Sequence, residues 1–295
     1  MEYPHSFQCT RIAPTPSGYL HLGNVLSFAL TVAIARRTGA RIFLRIDDLD
    51  RERIKRAYVE DIFETLDYLE LPWDEGPKNY REYEESYSQI HRIPAYRKAL
   101  QRLQDGGSVF ACDCSRALLL NHHPQGTYTG TCKDRGLPLE RAGCSWRLRT
   151  DTVGNMLVKD YLEGSTRVTF PPKMHYFVVR KKDGFPAYQL ASLIDDIHFG
   201  IDLIIRGADL WESTLAQIYL ADVLGCNAFQ QVTFYHHALL LKSDGRTKLS
   251  KSAGATSIQY LRKQGKTRAD IYEMISRMLG LEHTAYHWED LTVVR

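Results

Sequence analysis

An α/β fold built around a parallel sheet, with one small insert, is what the sequence predicts. Three observations carry that prediction. The chain opens with a strand, a tight turn, a helix and a second strand. After residue 171, helix and strand patterns alternate again. Between these stretches, residues 109–170 break the rhythm and hold a group of cysteines.

The opening strand covers residues 7–13 (FQCTRIA) and runs into Pro14-Thr15-Pro16-Ser17-Gly18, where two prolines and a glycine fix the backbone. His21-Leu22-Gly23-Asn24 starts a helix that runs to Thr38 and stops at Gly39. Val25, Leu26, Ala29, Leu30, Ala33 and Ile34 give it helical spacing. Residues 41–46 (RIFLRI) form the second strand, completing a β-α-β unit. Helical patterns follow at 57–70 and 82–104. The loop-rich insert ends in strands at 146–149 and 167–170, and Lys181 to Gly184 form a turn between short strands. Residues 187–194 read as helix, 201–205 as a buried strand, 211–224 as a helix ending at Gly225, and 231–235 as a strand. A polar loop spans 242–252. The last helix covers 268–279, with Thr267 as N-cap, Asp270 as its N3 partner and Gly280 as its stop.

Composition excludes several classes. Of 295 residues, 44% are hydrophobic and 25% charged, the balance of a soluble globular chain. The 38 basic and 35 acidic residues leave a net charge of +3, too small to point to nucleic acid by itself. No stretch reaches the roughly 20 apolar residues of a membrane span, and the N-terminus lacks the charged and apolar regions of a signal peptide. A cytoplasmic monomer with no membrane contact is therefore expected. Six cysteines do not suggest a disulfide scaffold, but Cys112, Cys114 and Cys132 lie close together, which suggests a metal.

Two short motifs carry the chemistry. His21-Leu22-Gly23-Asn24 stands where a strand turns into a helix, and a helix start offers N–H groups and a positive dipole end to phosphate. Gly23 lets a nucleotide approach the backbone, and His21 can donate to its oxygens. Lys248-Leu249-Ser250-Lys251-Ser252 sets two lysines around a serine, suited to charge developing on a phosphoryl group. Either motif alone reads more simply as a helix start or a solvated basic loop. Together, in this order and spacing, they resemble the paired signatures of class I aminoacyl-tRNA synthetases, which lie on a Rossmann-type parallel sheet. Asn24 replaces the second histidine of the family pattern.

Further segments are similar to those of glutamyl-tRNA synthetases: residues 11–18 (RIAPTPSG), 45–50 (RIDDLD), 188–196 (YQLASLIDD) and 205–210 (IRGADL). The resemblance implies that Arg11 and Arg206 grip the side-chain carboxylate of L-glutamate, with Ala13 and Thr15 lining the same site. A planar guanidinium fork suits a carboxylate. Asp47 matches the position that takes the ammonium group, and Tyr188 the position of a hydrogen-bond donor, with Ser192 in support. The family usually has Glu at position 47, whereas glutaminyl-tRNA synthetases have Asp. Arg206 favours glutamate, because a buried guanidinium facing a neutral amide loses its ion pair.

Thiolates are zinc ligands, and a structural zinc site closes with four donors. Cys112, Cys114 and Cys132 leave one donor to find among Tyr128, His122, His123 and Cys144, and ligand chemistry alone favours a histidine. The C-x-C then Y-x-x-x-C pattern resembles that of the truncated paralogues of glutamyl-tRNA synthetases that attach glutamate to queuosine, where the tyrosine completes the site. On that resemblance the organisation is 1–108 and 171–255 as two halves of the catalytic domain, 109–170 as a zinc-containing, acceptor-facing insert and 256–295 as a short helical tail, with no anticodon-binding domain. The implied reaction is two-step. ATP with Mg²⁺ activates glutamate as glutamyl-adenylate, with His21, Gly23, Asn24, Lys248 and Lys251 on the phosphates, and glutamate then passes to queuosine at the wobble position of tRNA(Asp). Charging of a tRNA 3′ end, a non-tRNA acceptor and a non-catalytic RNA-binding module are the competing readings.

Overall fold

Strand β1 (Cys9–Ile12) pairs in parallel with β2 (Arg41–Leu44), in the register Cys9 opposite Arg41 and Ile12 opposite Leu44. The ladder continues beyond both strands, as Arg45 N–H donates to Ile12 O at 2.9 Å and Asp47 N–H to Pro14 O at 2.9 Å. Helix α1 (Leu22–Thr38) connects the two strands. Its residues from Val25 to Ala35 are buried except Ser27, as expected of a helix apolar on nearly all sides. It ends at Gly39, whose φ of 77° is the left-handed cap that glycine adopts most easily. Residues 74–76 lie along the free edge of β2, with Leu44 N–H donating to Glu75 O at 2.9 Å.

The computed structural model describes residues 6–115, 127–240 and 257–291. They belong to two units. The first holds the chain through His91, Gly200–Asp209, and the chain from Phe234 onward. The second holds Arg92–Phe199 and Leu210–Thr233.

In the first unit, helix α2 (Arg56–Tyr68) follows the β-α-β opening. The single helix expected over 82–104 is instead a short turn of helix at Tyr80–Glu82, a wide π-type turn at Tyr83–Tyr87, a 3-10 turn at Gln89–Arg92 and then helix α3 (Ile93–Asp105). The cause is Asp48, fully buried, which accepts from the Tyr83 hydroxyl at 2.6 Å, the Ser88 hydroxyl at 2.5 Å and the Gln89 N–H at 2.8 Å. A continuous helix would keep the Gln89 N–H for itself.

The second unit begins with α3. Its sheet has the order β3 (Val109–Cys112), β4 (Ser145–Leu148), β7 (Val178–Arg180), and neighbouring strands are antiparallel. A hairpin, β5 (Asn155–Asp160) with β6 (Gly164–Thr169), pairs antiparallel outside that sheet. Strands β3 and β5 lie in the region read from sequence as loop. β3 is four residues long and buried on both faces, so it carries no alternation to read. Helix α4 (Tyr188–His198) packs on α3 through a buried network, in which Arg92 donates to both oxygens of Asp195 at 2.7 and 3.1 Å and the Tyr96 hydroxyl donates at 2.6 Å.

Strand β8 (Leu203–Gly207) returns to the first unit beside β1, where Asp202 accepts from the N–H groups of Gln8 and Cys9 at 2.8 and 3.0 Å. Helix α5 (Trp211–Val223) belongs to the second unit. Strand β9 (Thr233–His237) is the neighbour of β8. Helices α6 (Ile258–Lys263) and α7 (Arg268–Leu279) close the chain. Helix α7 has the expected capping box between Thr267 and Asp270 and the expected left-handed stop at Gly280.

Candidate active site and metal cluster

His21 caps α1. Its Nδ1 accepts from the Gly23 N–H at 3.1 Å, and Asn24 Oδ1 accepts from the His21 N–H at 3.1 Å. With Nδ1 an acceptor, the neutral ring carries its proton on Nε2 and presents it as a donor. The arrangement accounts for two residue choices. Asn24 completes a capping box, and a Cβ at Gly23 would stand 3.1 Å from the imidazole, so glycine leaves room for the ring to fold back. Ser257 bridges antiparallel to His21, and Ile258 N–H donates to Leu20 O at 2.7 Å. Residues 257 and 258, which follow the KLSKS segment in sequence, therefore lie against the HLGN turn. Lys248 and Lys251 themselves lie outside the described residues.

Arg11, near the end of β1, and Arg206, near the end of β8, are 5% and 3% exposed. Arg11 Nη1 donates to Ile205 O at 3.3 Å, which fixes it against β8. Arg206 lies over the Phe234 ring at 5.4 Å. Burial and the positive charges of Arg206, His237 and Arg11 hold the His236 imidazole down at about 3. His236 is thus a neutral neighbour to two buried cations. The parallel ladder sets Ala13 and Asp47 on adjacent chains. Asp47 is gripped by Arg45, which donates through Nε at 2.7 Å and Nη2 at 3.1 Å to its two oxygens. Thr15 is exposed, and its carbonyl accepts from the Ser17 N–H at 2.8 Å.

His236 and His237 went unread in the sequence. His237 is buried, its Nδ1 2.8 Å from Ala238 O and its Nε2 2.6 Å from the Ser27 hydroxyl. It ties β9 to the second turn of α1. Their one signal is that two polar rings follow an apolar strand pattern at its end, where α/β folds place ligand contacts.

In the second unit, Tyr188 is the first residue of α4 and 43% exposed, and Ser192 is buried one turn later. Cys112, Cys114 and Cys132 are buried, and their sulfurs lie within 4.8 Å of one another. Tyr128 is buried with them, its hydroxyl oxygen accepting from the Cys132 N–H at 2.8 Å, with Phe110, Leu137 and Tyr176 packed around. Burial opposes ionisation of Cys112, yet hydrogen bonds from Tyr128 and Arg147 draw its thiol down to about 7. Burial and the Cys132 thiol push Cys114 up to about 12. Three converging sulfurs and a phenol oxygen form a donor set that fits a tetrahedral, thiophilic divalent ion such as zinc. Cys144 is buried but outside the cluster, and His122 and His123 lie outside the described residues. Among the described residues no helix is long and apolar enough to cross a membrane.

A sheet whose strand ends hold two buried arginines, beside a first helix capped by histidine, marks the class: an α/β domain with basic groups gathered at the carboxyl ends of its strands. Residues 9–287 match the model of tRNA synthetases class I (E and Q), catalytic domain, and the chain belongs to that family. It is 37% identical over 260 residues to the glutamate–tRNA ligase of Dehalococcoides mccartyi, covering 85% of this chain and 52% of that one, so it spans about half of that relative. It is 38% identical over 288 residues to the glutamyl-Q tRNA(Asp) synthetase of Symbiobacterium thermophilum, covering 92% of this chain and 87% of that one. The crystal structure of a glutamate tRNA ligase from Elizabethkingia meningosepticum in complex with its amino acid superposes with a TM-score of 0.68 at 25% identity, over 84% of this chain and 53% of that one.

Proposed function

We propose that this protein activates L-glutamate with ATP and transfers it to tRNA, with queuosine of tRNA(Asp) as the acceptor. The observation that carries the first half is the pair of buried guanidinium groups, Arg11 and Arg206, on neighbouring strands. Two planar guanidinium groups side by side offer the forked donors that suit a carboxylate. Asp47, held by Arg45, supplies the carboxylate for the substrate ammonium. Each oxygen of Asp47 has more than one lone-pair direction, so the Arg45 bonds leave acceptor capacity. The acceptor assignment draws support from the match to a glutamyl-Q tRNA(Asp) synthetase over 87% of its length and from Tyr128 beside the three cysteines.

In the first step the glutamate α-carboxylate attacks the α-phosphorus of ATP and pyrophosphate leaves. The nucleophile is already ionised, so the protein needs no general base. Its contribution is positioning and charge stabilisation. His21 donates from Nε2 to phosphate oxygens at the start of α1. Lys248 and Lys251 neutralise the departing pyrophosphate, with Lys251 the main contributor. Mg²⁺ accompanies ATP. In the second step an acceptor hydroxyl attacks the activated carbonyl and AMP leaves. Zinc, held by Cys112, Cys114, Tyr128 and Cys132, acts structurally in the second unit.

Amino-acid-dependent ATP–pyrophosphate exchange, with and without tRNA, tests the reading. Exchange with glutamate and no tRNA, followed by glutamylation of queuosine-containing tRNA(Asp), is the expected result. Exchange only with tRNA(Glu) present would replace the acceptor assignment with 3′-end charging. Absence of exchange with every amino acid would overturn the enzymatic reading.

A further inference from the structure

Two arginines stand beside the four candidate donors. Arg135 Nη1 lies 3.4 Å from Cys132 Sγ while also donating to Asp113 Oδ1 at 2.8 Å, and its Nη2 is 3.4 Å from Asp113 Oδ2. Arg147, 8% exposed, places its guanidinium 3.9 Å from the centre of the Tyr128 ring. Its Nη1 donates to Tyr176 O at 2.8 Å. Strand register dictates this placement. Arg147 on β4 stands opposite Phe110 on β3, and Ser145 opposite Cys112. Alternation therefore puts Arg147 and Cys112 on one face of the sheet, with Phe110 between them in the same row.

Elementary charge counting says what the arginines do. A divalent ion with three thiolates carries a net charge of −1, and with a phenolate −2. Such a complex, buried among Phe110, Leu137 and Tyr176, has lost most of the water that would solvate it. A metal-bound sulfur can only accept hydrogen bonds, and Arg135 is already aimed at Cys132. The face of the Tyr128 ring is its electron-rich side, and Arg147 covers it.

We propose that Arg135 and Arg147 are built-in counter-cations of the metal centre: Arg135 donates to the Cys132 sulfur, and Arg147 lies on the face of Tyr128 and holds its oxygen toward the ion. Both are positioning residues rather than ligands. The proposal rests on the zinc reading, and it adds that the site selects an anionic, sulfur-rich complex over a neutral one. Loss of outer partners of this kind lowers metal affinity about 10- to 100-fold.

The test is zinc affinity of the intact chain, read by competition with a chromophoric chelator, with cobalt(II) absorption reporting the ligand set. The wild type is expected to bind one equivalent, with sulfur-to-cobalt charge transfer. Arg135→Gln and Arg147→Met are each expected to bind about 10- to 100-fold more weakly with the same cobalt spectrum, because the ligands are untouched. Arg135→Lys and Arg147→Lys are expected to recover part of the loss. Affinities of both neutral variants within twofold of wild type would overturn the counter-cation role while leaving the zinc reading intact. A wild type that binds no zinc would overturn both. Arg135 is half exposed, so Arg135→Gln keeps the test available if the buried Arg147 variant does not fold.

Discussion

Arg206 is the residue whose substitution tests the proposed glutamate site most directly. It is 3% exposed, lies against Phe234 and shares its surroundings with Arg11 and a neutral His236. Arg206→Gln preserves hydrogen-bonding capacity but removes the charge. A hydrogen bond to a charged group contributes about 1.5–3 kcal/mol, so glutamate-dependent exchange is expected to fall about 10- to 150-fold in kcat/KM. The ATP dependence is expected to stay within a few-fold. Equal losses toward glutamate and ATP would show a folding defect instead. At this scale much of the candidate site was legible. Arg11, Asp47 and Arg206 stand in recognisable segments, and an arginine fork for a carboxylate follows from chemistry. The clasp of Arg45 on Asp47 was not legible, because residues i and i+2 of an extended chain share a face only once the chain is known to be extended there. The second role of Gly23, clearance for the folded-back His21 ring, needed a side-chain rotamer that no sequence prints.

Elements whose patterns are local were read correctly, and those set by distant partners were not. Helix α7 announced itself through Thr267, Asp270 and Gly280, all within its own sequence. The break at residues 80–92 did not, because it is imposed by Asp48 from about forty positions away. Two substitutions test elements directly. Asp195→Asn leaves Arg92 buried with half its partner, and breaking a buried pair in this way costs about 3–5 kcal/mol. Urea denaturation is expected to show that loss, and a change below 1 kcal/mol would mean that Tyr96 and the remaining amide oxygen suffice. Gly76 has φ of 99°, and a Cβ there would stand 2.3 Å from Leu44 O. Gly76→Ala must push residues 74–76 off the edge of β2. A destabilisation above about 2 kcal/mol is expected in the same assay.

At the scale of the whole molecule, two buried groups bear on stability against pH in opposite senses. Asp61 is 3% exposed; burial raises its carboxyl to about 6 against the pull of Arg262, 3.8 Å away, with Glu64 adding to the rise. Its contribution to stability is fully present below the unfolded-state pKa near 4 and is lost as pH rises through about 6. His236 behaves in the opposite sense. Burial and the charges of Arg206, His237 and Arg11 hold it at about 3, so between pH 3 and 6.5 the unfolded chain takes up a proton that the folded chain refuses. Its contribution is present above pH 6.5 and is lost as pH falls toward 3. Between pH 4 and 6 the two cancel: the folded state holds one proton more at Asp61 and one fewer at His236. Burial lowers His237 as well, which adds a contribution of the His236 sign below pH 6.5. Asp74 and Asp270 are held below the usual carboxylate range, so their contributions fall away only below pH 4. Together Asp61 and His236 are therefore expected to add no net slope to the wild-type stability from pH 4 to 6. Asp61→Asn removes one side of the balance, and stability should then rise with pH by about 1.4 kcal/mol per unit, roughly 3 kcal/mol over the window. His236→Gln removes the other, and stability should fall with pH across the same range. Urea titrations at half-unit pH steps distinguish these slopes. Parallel curves for the wild type and both variants would mean that neither group carries a shifted proton in the folded chain.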